Sequence, residues 1–86
     1  MALRQRSRDE IYKELTDVFR DVFDDNQIDL SDETSAKDIA GWDSLATINL
    51  AIEAERVFGV KFLTTELSRL KNVGEFVSVI TQKLGR

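Results

Sequence analysis

Residues 41–58 read Gly41-Trp42-Asp43-Ser44-Leu45-Ala46-Thr47-Ile48-Asn49-Leu50-Ala51-Ile52-Glu53-Ala54-Glu55-Arg56-Val57-Phe58, and Gly59-Val60-Lys61-Phe62 comes next. Gly41 permits a tight turn, Asp43 or Ser44 supplies an N-cap, and Gly59 is the residue type that closes a helix in the left-handed conformation. The stretch therefore predicts a helix from about Ser44 to Phe58. At 100° per residue, Leu50, Ala51, Ala54, Val57 and Phe58 share an arc about 120° wide, the width of a core-facing stripe. Leu45, Ile48 and Ile52 form a second arc, about 60° wide, set off by Glu55 on one side and by Asn49, Glu53 and Arg56 on the other. A helix with two apolar arcs is either central and buried on both sides, or packed on one side and open to a partner on the other.

Other helices must flank it. Upstream, Ser7-Arg8-Asp9-Glu10 matches a capping box, and Ile11, Leu15, Val18 and Val22 recur at helical spacing with Tyr12, Phe19 and Phe23 widening the stripe. Between Asp24 and Asp43 no period is sustained, and Asp, Ser and Thr abound, so roughly twenty residues read as a loop. Ile28, Leu30, Ile39 and Trp42 are its apolar anchors. Downstream, Val60–Phe62 is a short connector, and Thr64 or Thr65 can cap a brief helix around Glu66–Leu70. Asn72 and Glu75 form an asparagine capping box for a last helix with Val73, Phe76, Val77, Ile80 and Leu84 inward, ended by Gly85. The expected fold is an all-α four-helix bundle, three helices longer and one short, with a long first connection. Residues 1–7 are expected to be a flexible basic tail and residues 8–86 one domain.

Composition narrows the chemistry. The chain has 86 residues, no cysteine, no histidine and no proline. Roughly 60–65% of its surface can be buried, enough for one small core and too little for a second domain. Without thiol or imidazole, an autonomous enzyme or a structural metal site is not expected. A calcium loop starting at Asp24 fails where Asp29 replaces the required glycine and Ser35 the required glutamate. The formal net charge of −4 is unevenly spread: residues 9–43 hold twelve acids against Lys13, Arg20 and Lys37, whereas residues 44–86 are slightly basic. Such a surface repels a phosphate backbone, so nucleic acid is not the expected partner. The apolar runs are far short of a membrane span. A cytoplasmic monomer is the expectation.

Ser44 stands where helix amides converge with the positive end of the helix dipole, a place that stabilises a phosphate, bound or covalently attached. The plain alternative is that this serine only caps the helix. As a nucleophile it lacks a histidine base and a Gly-x-Ser-x-Gly elbow. A site modified by another enzyme is the more coherent chemistry.

Gly41-Trp42-Asp43-Ser44-Leu45, then Ile48, Leu50, Glu55 and Phe58-Gly59-Val60, and later Lys71-Asn72-Val73-Gly74-Glu75-Phe76, resemble the acyl carrier proteins and related phosphopantetheine-binding carriers over residues 8–84. The resemblance implies that Ser44, flanked by Asp43 and Leu45 of the attachment motif, receives 4′-phosphopantetheine from coenzyme A through a magnesium-dependent phosphopantetheinyl transferase. An acyl or aminoacyl group would then ride on the arm as a thioester, passed among loading enzymes and synthases. That accounts for the missing cysteine, since the reactive sulfur comes with the group. The resemblance also implies partner recognition by Leu45, Ile48, Asn49, Ile52, Glu55 and Arg56. Ala46, Asn49 and Arg56 stand where fatty-acid carriers usually have acids, which points to a specialised stand-alone carrier. The alternative is a helical interaction domain that binds a partner through the Leu45, Ile48 and Ile52 stripe.

Overall fold

The structure is a computed structural model and describes residues 7–85. It contains α1 (Arg8–Phe23), α2 (Ser44–Phe58), α3 (Thr64–Ser68) and α4 (Val73–Leu84), with no strand among the described residues. The tail expected at residues 1–7 lies outside the described residues except for Ser7, which is the N-cap of α1.

The capping box forms as the sequence predicts: Ser7 Oγ accepts from the Glu10 amide at 3.1 Å, and the Glu10 carboxylate accepts from the Ser7 amide at 2.8 Å. α1 stops at Asp24, which adopts φ +53°; a short polar side chain tolerates this left-handed conformation better than a branched one does. Ile11, Leu15, Val18 and Phe19 are buried on α1, Leu50, Ala51, Ala54 and Phe58 on α2, and Val73, Phe76, Val77 and Ile80 on α4. α1 packs on both α2 and α4, so its stripe forms the centre of the bundle. Val57, predicted for the core face of α2, is only half-buried, at the margin of that core.

The long connection over 24–43 is tied down from both sides. Ile28 is buried, while Leu30, Ile39 and Trp42 pack half-buried against the core. Arg20 Nε donates to the Ile28 carbonyl at 2.9 Å, and the Asp32 carboxylate accepts from Arg8 and from the Tyr12 hydroxyl. Backbone bonds from Val73 N–H to Thr34 O at 2.8 Å and from Gly74 N–H to Asp32 O at 3.0 Å fasten the loop to the start of α4. They also satisfy two amides that a helix N-terminus leaves without an internal partner. Gly74 is needed there, because a Cβ would sit 3.1 Å from both Asp32 Cβ and Asp32 O.

The later helices depart from the sequence reading in two details. α3 begins at Thr64, earlier than predicted, with Leu63 at its N-cap position. No side chain caps its first amides, and the Glu66 carboxylate accepts the Leu63 amide at 2.8 Å. At α4, Asn72 Oδ1 accepts from the Glu75 amide, but Glu75 returns its carboxylate to the Lys71 amide instead of the Asn72 amide, so the expected box is only half made. Gly85 ends α4 as expected, at φ −77° and without the left-handed turn that Gly59 makes at +71°.

α3 has five residues and buries none of them, so it depends on anchors. One is Glu66, which meets Lys83 of α4 at 3.0 Å. The Leu63 amide, and then the Lys83 ammonium, hold the Glu66 carboxyl below the ordinary glutamate range. A carboxyl with a lowered folded-state pKa contributes at neutral pH and loses that contribution as acid protonates it. As the pH falls below the ordinary glutamate range, the amide of Leu63 should therefore lose protection relative to its intrinsic exchange rate. Glu66→Gln should show the lost protection already at pH 7, and NMR hydrogen exchange reads both. For the core, Phe19→Ala should lower unfolding free energy by about 3–5 kcal/mol, measured by urea denaturation.

Candidate functional site

The head of α2 is assembled from the loop that precedes it. Gly41 sits at φ +88°, a region that favours glycine, and its carbonyl accepts the Asp43 amide at 3.0 Å. Asp43 is the N-cap, its Oδ1 accepting from the Ala46 amide at 2.9 Å. Ser44 thus becomes the first residue of the helix, exposed, with no hydrogen bond to its hydroxyl among the described residues. The capping alternative for this serine is removed, since Asp43 takes that role.

Trp42 makes the turn stiff. Its ring meets Phe19 edge-on with centroids 5.2 Å apart, and its indole N–H donates to Thr47 Oγ1 at 2.8 Å. Thr47 Oγ1 in turn donates to the Asp43 carbonyl at 3.2 Å. A chain of hydrogen bonds therefore passes around Ser44, from the residue before the cap to the residue one turn into the helix. In the sequence, Trp42 reads only as a loop anchor. Its bond to Thr47 depends on a turn that folds the two side chains together, and sequence spacing carries no sign of that.

Beside Ser44 lies a cleft of about 630 Å³ between the first turns of α2 and the α3 region, walled by Trp42, Thr47, Ile48, Leu67 and Leu70. Asp43 and Lys71 are the charged residues on its lining, and the Asp43 carboxylate is turned to its own helix. An anion on Ser44 would meet the positive end of α2, whose first turn contains no acid. The walls next to it suit an apolar chain. No imidazole exists to make this serine a nucleophile in its own right.

Of the recognition residues implied by the sequence, Leu45, Ile48, Asn49, Ile52 and Arg56 are exposed and Glu55 is not. Leu45, Ile48 and Ile52 are 66%, 49% and 57% exposed, so the second arc of α2 is not buried in the bundle. Asn49 is exposed as well. Glu55 is half-buried and its carboxylate accepts the Phe62 amide at 2.8 Å, which holds the connector against α2. Arg56 pairs with Glu53, and the pair lowers the glutamate pKa and raises that of the arginine. Ala46, beside them in sequence, is buried.

Similarities to known proteins bear on this arrangement. Residues 13–80 match the family described as a phosphopantetheine attachment site. The acyl carrier protein of Thermotoga maritima is 32% identical over 79 residues, spanning 92% of this chain and 98% of that protein. The acyl carrier protein of Acidothermus cellulolyticus is 32% identical over 74 residues, spanning 86% of this chain and 88% of that protein. The solution NMR structure of holo acyl carrier protein from Geobacter metallireducens superposes with a TM-score of 0.82 at 46% identity, covering 88% of this chain and 87% of that one.

Because Asp43 and not Ser44 caps α2, Asp43→Ala should cost about 1 kcal/mol of stability and Ser44→Ala much less. Urea unfolding of the two variants separates the roles.

Proposed function

Because the chain belongs to the phosphopantetheine-binding acyl carrier protein family, we propose that Ser44 is where its 4′-phosphopantetheine is attached and that Leu45, Ile48 and Ile52 face the enzymes that use it. The protein is a carrier and not a catalyst, and its prosthetic group is covalent. The observation that carries the assignment to Ser44 is the free, exposed hydroxyl at the first position of α2, held between Asp43 and Thr47 and opening on an apolar cleft.

Each part has a physical task. Ser44 Oγ forms the new bond to phosphorus while the bond from that phosphorus to the nucleotide part of coenzyme A breaks. Its proton passes to a base of the transferase, since among the described residues nothing of this chain is hydrogen-bonded to that hydroxyl. The resulting diester keeps one negative charge, which the α2 terminus stabilises. Asp43 fixes the first turn, and the Trp42 to Thr47 bond ties the preceding loop to that turn around Ser44. Bound to Ser44, the group supplies a terminal thiol on which an acyl or aminoacyl group is held as a thioester. Leu45, Ile48 and Ile52, with Asn49 and Arg56 at their edge, give the transferase, loading enzymes and synthases a surface beside the arm.

The finer role we propose is that of a specialised carrier, working in the cytoplasm as a monomer, and not one that serves general fatty-acid synthesis. Ala46, Asn49 and Arg56, where fatty-acid carriers usually have acids, support it. No described helix is long and apolar enough to cross a membrane.

Co-expression with an active phosphopantetheinyl transferase should add the mass of one phosphopantetheine to the wild-type protein, and Ser44→Ala should abolish the gain while leaving the fold intact. A folded wild-type protein left unmodified by several active transferases would overturn the assignment.

A further inference from the structure

The Ser44 hydroxyl has no hydrogen bond among the described residues, so where it stands is set by the backbone and by a single side-chain torsion. The peptide group that leads into Ser44 is held. Its carbonyl, that of Asp43, accepts both the Thr47 amide at 3.0 Å and the Thr47 hydroxyl at 3.2 Å. A peptide group is planar, so fixing the direction of that carbonyl also fixes the nitrogen of Ser44. An indole N–H can only donate, so Thr47 Oγ1 accepts from Trp42 at 2.8 Å and its own hydrogen goes to Asp43. Thr16 and Thr81 also donate to the carbonyl four residues back, at 2.7 Å each, but neither accepts from a side chain among the described residues. Thr47 alone of these three joins its own helix to another part of the fold.

We propose that Thr47 is a positioning residue for the attachment of phosphopantetheine: its hydroxyl carries the restraint of Trp42, seated edge-on against Phe19, to the peptide group of Ser44. The role rests on the carrier reading of Ser44 and adds a residue to it. As the Ser44 oxygen bonds to phosphorus, the bond from phosphorus to the nucleotide part of coenzyme A breaks on the opposite side, and the serine proton goes to a base of the transferase. That line of attack is sensitive to place, and a shift of about 1 Å can cost about a hundredfold in rate. Trp42 and Thr47 are half-buried and their polar atoms are already paired inside the chain, while the exposed Leu45, Ile48 and Ile52 lie apart from these bonds. Loss of the restraint therefore appears in turnover and not in binding.

Steady-state modification of the full chain by one active phosphopantetheinyl transferase tests this. Thr47→Val keeps the shape of the side chain and removes the hydroxyl; it should lower kcat about tenfold and leave KM within about twofold of wild type. Thr47→Ser restores the hydroxyl and should recover kcat to within about twofold. Trp42→Phe removes the N–H and keeps a ring against Phe19. It should match Thr47→Val, and the double variant should be no slower than either, since the two groups act as one unit. Trp42 is the chain's one tryptophan, so its indole N–H gives a single NMR signal. That proton should exchange faster with solvent in Thr47→Val and return to the wild-type rate in Thr47→Ser. An unchanged kcat in Thr47→Val with only a lower melting temperature would overturn the proposal, because the hydroxyl would then serve stability alone. So would a KM that rises while kcat holds, a Thr47→Ser as slow as Thr47→Val, losses that multiply in the double variant, or an indole exchange rate that Thr47→Val leaves unaltered. If Thr47→Val does not fold, Trp42→Phe supplies the same comparison of kcat with KM. A folded wild-type chain that gains no mass from several active transferases would instead overturn the attachment at Ser44 itself.

Discussion

Phe19 has no exposed surface, and its ring meets Trp42 edge-on while also approaching Phe76 of α4. This contact joins the middle of α1 to the end of the long connection, and the head of α2 is positioned from there. Trp42 is fixed by the core through its ring and by α2 through its indole N–H, so the turn over Gly41, the cap at Asp43 and the outward setting of Ser44 share one support. Aromatic pairs of this geometry contribute about 0.5–1.5 kcal/mol beyond the area they bury, a large share of what a domain this small can spare. A carrier has to present its modified side chain to many enzymes in the same way, and a rigid turn on a packed core provides that.

The second anchor of the loop is polar. Asp32 accepts from Arg8 and Tyr12 through its carboxylate and from Gly74 through its carbonyl, so one residue links the start of α1 to the start of α4. With Thr34 receiving Val73, the loop satisfies amides that α4 leaves open. The roughly twenty residues that lack periodicity are therefore ordered by the helix ends they cap, and not by a secondary structure of their own. Hydrophobic anchoring at Ile28 and polar anchoring at Asp32 divide the connection into short spans.

Charge on α2 is organised for the interior of the chain more than for its exterior. Glu53 and Arg56 neutralise one another, and Glu55 holds the connector at Phe62. Exposed pairs of this kind add little stability, on the order of 0–1 kcal/mol. Their larger effect is on which surfaces can approach, because paired charges present a weaker field to a partner. That leaves the apolar stripe as the main feature beside Ser44.

The helices α1 and α2, their caps at Ser7 and Gly59, and the two separate apolar arcs of α2 are legible in the sequence, because periodicity and capping are local and each depends on residues within a few positions, whereas the choice between Asp43 and Ser44 as N-cap is made by the turn. Ser44 is legible as the head of a helix for the same reason. The start of the short α3 is not, since a five-residue helix that buries nothing has no period to read and is held by Glu66 and Lys83 from different elements. Whether the second arc of α2 is buried as well, whether Trp42 reaches Thr47, and how Leu67 and Leu70 come to wall a cleft beside Ser44 are decided only by tertiary structure. Those features join residues distant in sequence or turned toward one another by a loop, and their geometry exists only once α1 has given the other helices a surface to pack on.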